Sequence, residues 1–322
     1  SIFIVLGVAP LLFTQVIYDP NWYVTNTLSG MWIFIFVYTM VVGYCMYYWY
    51  YYANKAQRTG GTLIGLISFG ILVFAGVLMH NFAVTSIMPQ QWMNMYAPNG
   101  VVNTSGWTFN MDVIRLAFMV SLSIPVVGIF LQNYSRFLST RKDFDASFIS
   151  YSAKLGTNFA VIGLLISAVL FVVWMLQIKY LFHPVSLATI VGVVALLAMA
   201  KINRNSYYTT LVLVVVALLI STMRELIRFD IMAGLGYSIY DYPINFEIPS
   251  IVMFLSTFLI MGFVGVAYLL TMAWKVGKSE GVFDGSKDVM VNRLGQSTLY
   301  IMIAWMVIYF GWGIGILFNN IL

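Results

Sequence analysis

Nine apolar runs follow one another along this chain, at about 2–18, 29–53, 62–88, 111–135, 156–178, 184–200, 207–227, 249–274 and 296–318. About 20 mainly apolar residues in a helix cross a hydrocarbon core of roughly 30 Å. The first and sixth runs are the shortest. Lipid admits only helices and closed barrels, and a barrel would need ten-residue segments of alternating polarity. The pattern therefore predicts an all-α, polytopic transmembrane helical bundle of about nine spans, forming a single integral-membrane domain over residues 1–322. Composition agrees: 61% of residues are hydrophobic and 8% charged, against about half and a quarter in soluble domains. Ser1 lies directly within an apolar stretch, so a further N-terminal segment is expected before it.

The basic residues give the bundle a direction. Twelve of the sixteen Lys and Arg lie in alternate gaps, at Lys55/Arg58, Arg136/Arg141/Lys142/Lys154, Lys201/Arg204 and Lys275/Lys278/Lys287/Arg293. Short cytoplasmic loops carry such an excess, which predicts a bacterial inner-membrane protein with these gaps inside and the C-terminus outside. The +5 net charge is then a topology signal and not a nucleic-acid footprint. The outer segments become 19–28, 89–110, 179–183, 228–248 and the tail Asn319–Leu322, with turn signals at Asn99–Gly100 and Pro243. Trp22, Trp92 and Trp107 fit an outer aromatic belt, and the run Tyr47–Tyr52 an inner one.

Cys45, the only cysteine, sits in an apolar run, so there is no disulfide framework, CxxC metal site or CxxCH haem attachment. No nucleophile elbow or Ser–His–Asp order supports a hydrolase. The ionisable residues within spans, which lipid tends to exclude, are few and lie towards the outer half. His80 is eight residues, or about 12 Å, from the outer end of the third run. Asp112 and Arg115 open the fourth run. His183, before Pro184, opens the sixth, and Arg224, Glu225 and Arg228 close the seventh.

Three readings of this cluster stand side by side. In the first, His80 and His183 are candidate axial ligands of haem b, and Arg115, Arg224 and Arg228 neutralise its propionates or steer a partner. His183 is about two turns shallower than His80, which favours a plain helix-start residue, and Arg224/Glu225/Arg228 also reads as a salt-bridged, snorkelling helix end. In the second, the chain is a transporter or channel. Pro125 is the one proline well inside a span and no acidic residue lies at mid-depth, where a transporter would place its site. In the third, the chain is a haem-free anchor whose outer segments 89–110 and 228–248, with Asp230, Asp241 and Glu247, dock a redox partner.

The stretches "GVAPLLFTQVIYDPNWYVTN" and "HNFAVTSIMPQQWMNMYAPNG" resemble multi-span proteins of bacterial electron-transport gene clusters, often associated with c-type cytochromes. The first four spans, with a Trp-bearing outer loop after the third, are distantly similar to cytochrome bd subunit I. "STMRELIRFD" resembles an Arg-Glu-x-x-Arg helix end in divergent relatives of that superfamily. The resemblance implies haem b within the bundle, haem contact by Arg224, Glu225 and Arg228, and electron exchange with quinol or a c-type cytochrome within a multi-subunit complex. The quinol-loop pattern and a GRQPW-like motif are missing and only two histidines are present. A three-haem ligand set and oxygen reduction are therefore not carried over.

Overall fold

A computed structural model describes residues 20–56, 60–141, 143–202, 206–236, 238, 248–257, 259, 262–279 and 282–321. The described residues form α-helices joined by turns, with no strand among them. In chain order they are α1 (Pro20–Leu28), α2 (Gly30–Lys55), α3 (Gly61–Thr85), α4 (Pro89–Tyr96), α5 (Val113–Ser121), α6 (Ser123–Leu138), α7 (Ala146–Gln177), α8 (Pro184–Ile202), α9 (Ser206–Ala233), α10 (Ile248–Ser256), α11 (Gly262–Lys278) and α12 (Val289–Ile321). Among the described residues, seven stretches are long and apolar enough to cross a membrane: Gly30–Lys55, Gly61–Thr85, Val113–Leu138, Ala146–Gln177, Pro184–Ile202, Ser206–Ala233 and Val289–Gly315.

The chain is thus a helical protein suited to a bilayer. The first expected span lies outside the described residues, as do Arg58, Lys142, Arg204, Asp241, Pro243 and Glu247. The eighth run is divided between α10, of 9 residues, and α11, of 17. Two expected outer segments are more helical than loops: residues 20–28 form α1, and α9 continues through Arg228 to Ala233. The fourth span is a broken helix. α5 ends at Ser121 and α6 begins two residues later. Pro125, four residues on, has no N–H to offer the Ser121 carbonyl; the Ser121 hydroxyl pairs with that of Ser167 on α7 at 2.9 Å.

The helices group into two compact units, one over residues 1–139 and 145–237 and the other over 140–144 and 238–322. In the first, antiparallel neighbours pack through small residues, as membrane helices do where apolar contact with a neighbour gains little over contact with lipid. A Cβ at Gly128 of α6 would stand 2.2 Å from the Ala160 backbone nitrogen of α7, and one at Gly163 2.6 Å from the Pro125 nitrogen. Gly43 of α2 and Ser68 of α3 meet the same way, the Ser68 hydroxyl donating to the Gly43 carbonyl at 2.9 Å.

One end of this unit is basic. Lys55 closes α2, Arg136 closes α6 over the Tyr207 ring at 5.2 Å, and Lys201 closes α8. Gln132 bonds Thr157 of α7 at 3.0 Å and the Ala200 carbonyl of α8 at 2.8 Å, and Asn133 bonds Thr210 of α9, so four helices meet here. The opposite end, called outer below, carries the polar cluster.

In the second unit α11 and α12 lie against each other, with Tyr268 over Gly295. Asp288 starts α12 by accepting the amides of Met290 at 3.1 Å and Val291 at 3.0 Å, and it pairs with Lys275 at 2.5 Å. Lys275 and Lys278 close α11, where cations complement the helix dipole.

Candidate functional site

The outer end of the first unit is closed by residues 86–112, which turn back over the helices instead of looping into water. Asn81, in the last turns of α3, is fully buried. Its carboxamide donates to the Thr108 carbonyl at 3.3 Å and accepts from the Asn110 amide at 2.6 Å and the Thr85 hydroxyl at 3.3 Å. Asn110 donates in turn to Thr85 at 3.1 Å, and the Trp92 indole of α4 donates to the Thr85 carbonyl at 2.8 Å. Buried polar groups need such partners, so the network fixes the cap. Gly106, at φ 66°, lets its carbonyl accept the Met31 amide at the start of α2 at 3.1 Å. A Cβ there would reach the Met31 nitrogen at 2.7 Å.

His80 is buried, at 7% exposure, and belongs to this cap. Its Nε2 accepts the backbone amide of Asp112 at 3.2 Å. The Asp112 carboxylate is the N-cap of α5 and accepts the Arg115 amide at 3.0 Å. His183 lies elsewhere, in the turn between α7 and α8. There its Nδ1 accepts the Val185 amide at 3.2 Å and its ring stands 6.1 Å from that of Tyr180. The two histidines hold two different helix starts.

The arginines do converge. Arg115 from α5, Arg224, Glu225 and Arg228 from α9, Trp174 from α7 and Trp22 from α1 line one cavity of about 110 Å³. Arg224 grips Glu225 at 2.6 Å, and Arg228 stands 3.5 Å from the same carboxylate. Arg115 lies over the Trp174 ring at 5.8 Å, and its Nε is buried without a hydrogen-bond partner. Arg224 also borders a second cavity of about 220 Å³, lined mostly by apolar residues of α5 to α9.

The Nε2 of His80 is engaged by Asp112, and His80 and His183 line neither cavity. No group of three or more His, Cys, Asp or Glu able to hold a metal ion occurs among the described residues.

Of the six residues singled out in the sequence, the structure brings Arg115, Arg224, Glu225 and Arg228 together and leaves His80 and His183 apart. The sequence reading missed Asn81, Thr85 and Asn110. The one signal for them was an amide beside His80 in an apolar helix. It also missed Trp174, which stands one turn from the outer end of a long apolar run. No protein-family model, curated protein or solved structure matches this chain.

Proposed function

We propose that the chain is the membrane-embedded subunit of a bacterial electron-transport complex. It crosses the inner membrane nine times with its C-terminus outside, and it anchors a periplasmic c-type cytochrome without carrying a haem of its own. The observation that supports the anchoring role is the cap over residues 86–112. Its backbone is held to α3 by the Asn81–Asn110 network and to α2 by the bond from Met31 to Gly106, yet it presents Met93 and Val101, 69% and 70% exposed, with Val102 and Trp107 also exposed. Apolar and aromatic side chains on a preorganised surface are what a docking site requires, because ordering costs are met before the partner arrives. The electron-transport setting comes from the sequence resemblance, and the orientation from the basic loops. Direct exchange with quinol belongs to the same resemblance and is not needed for the anchor.

Affinity purification of the full chain from its native membrane tests this reading, with haem assayed by pyridine haemochrome. The expected result is co-purification of a protein with covalent c-type haem and no b-type haem left on the chain once that protein is stripped. Met93→Glu with Val101→Glu should release the partner without loss of the helical spectrum. Retention of b-type haem by the stripped chain would overturn the haem-free assignment, and purification without any haem protein would overturn the anchor.

A further inference from the structure

The break between α5 and α6 leaves room inside the first unit. Leu122 and Pro125, at the break, join residues of α7, α8 and α9 around the cavity of about 220 Å³. Its deep walls are buried apolar side chains, among them Leu164, Phe171 and Leu196. Four polar residues also line it. The Ser167 hydroxyl pairs with that of Ser121 at 2.9 Å, Thr189 donates to the Val185 carbonyl at 2.7 Å, and Arg224 is held by Glu225 at 2.6 Å. The fourth, Ser221, is exposed. Among the described residues, no buried side-chain nitrogen or oxygen of this wall is left without a hydrogen bond.

The cavity opens sideways at mid-depth. Val126 of α6 and Ala217 of α9 line it and are exposed. Val126 stands near the middle of the stretch Val113–Leu138, about 18–20 Å from either end at 1.5 Å per residue. Ala217 is about 16 Å along α9 from its start at Ser206. A hydrocarbon core of roughly 30 Å keeps head groups roughly 15 Å from its centre, so hydrocarbon is what meets this opening. An apolar cavity admits no water, and left empty it forfeits the dispersion contacts of its lining.

We propose that one acyl chain of a bilayer phospholipid enters between Val126 and Ala217 and fills this cavity, while its head group stays outside and is not recognised. The mid-depth opening, the apolar wall and the partnered polar groups each select a chain, and none of them selects a head. The chain completes the packing around a span whose own helix is broken. The site is independent of the anchoring role and requires no partner protein.

Native mass spectrometry of the full chain in detergent, titrated with dioleoyl phosphatidylcholine, reads this directly. The wild-type protein should hold one lipid tightly, and Ala217→Phe, which plugs the opening, should bind it about tenfold more weakly. Val126→Trp plugs it from the other side and should act alike, so the test stays decisive if either variant fails to fold. Val215→Phe, on the same helix but outside the cavity and exposed, should match the wild type. Phosphatidylglycerol with the same chains should bind within about twofold of phosphatidylcholine. Unchanged affinity in the plugged variants would overturn the proposal. So would a preference of about tenfold between the two head groups, since the hold would then lie at the head. Oleyl alcohol should displace the bound lipid more readily than geranylgeraniol; the reverse order would assign the cavity to a branched isoprenoid tail and overturn the acyl chain.

Discussion

The backbone amide of Asp112 donates to Nε2 of His80 at 3.2 Å, so a buried histidine of α3 serves as the acceptor that locks the start of α5. His80→Ala removes that acceptor and leaves the amide unsatisfied, a loss of about 1–3 kcal/mol. Thermal unfolding in detergent should show it, with partial recovery in His80→Gln, whose carbonyl can accept. Neither change should alter a visible absorption band.

Gly128→Leu should be among the most damaging substitutions in the first unit. A Cβ there meets the Ala160 backbone at 2.2 Å, and a helix backbone cannot yield as a side-chain tip can. Overpacking costs about 1–3 kcal/mol even where side chains can move, so the loss should reach or exceed that range. Unfolding in mixed detergent measures it. Gly70→Leu, where nothing lies within 4 Å of the added Cβ, is the control expected to be nearly neutral.

Tyr180, in the turn between α7 and α8, donates to Asp230 of α9 at 2.5 Å. Burial first, then this bond and the nearby negative charge, push its phenol up to about 12. A raised value means that the folded state favours the protonated phenol. The contribution is complete below the free value of about 10 and is lost as pH rises through about 12. Ultraviolet titration should show one late tyrosine that disappears in Tyr180→Phe, with a stability loss of about 0.5–1.5 kcal/mol at neutral pH.

The Lys275 ammonium, hydrogen-bonded to Asp288, holds that carboxyl below the usual range, helped by the Val291 and Met290 amides. The sign is opposite to that of Tyr180. The stabilising effect is present above the free carboxyl value of about 3.9 and fades as pH falls through the lower folded one. Hydrogen exchange at Met290 and Val291 should accelerate in acid, and Asp288→Asn should show faster exchange already at neutral pH.

Much of the helical layout was legible. The apolar runs at 29–53, 62–88, 156–178 and 184–200 correspond to α2, α3, α7 and α8, because hydrocarbon length sets helix length. The basic gaps named the end where Arg136, Lys201 and the start of α9 meet. The eighth run reads as continuous, with no proline or charge to mark where α10 ends at Ser256 and α11 begins at Gly262. Side-chain convergence was only half visible. Counting residues gives depth, which already set His183 about two turns shallower than His80, but not the direction in which a helix turns its faces, so the bond from the Asp112 amide to His80 was not visible. The cap was hidden for another reason. Asn81, Thr85 and Asn110 act through hydrogen bonds across 25 to 29 residues, and no periodic pattern records these.

The bonds at the start of α2 impose an order on biogenesis. Ser29 donates to the Thr108 carbonyl across 79 residues, and Met31 to Gly106. The first long helix among the described residues, α2, is therefore not complete when it is first made. Its first turn stays open until α3 and the segment after it, through Thr108, have been made. A ribosome stalled before residue 106 would hold a hairpin with an unsealed end, exposed to membrane quality-control proteases.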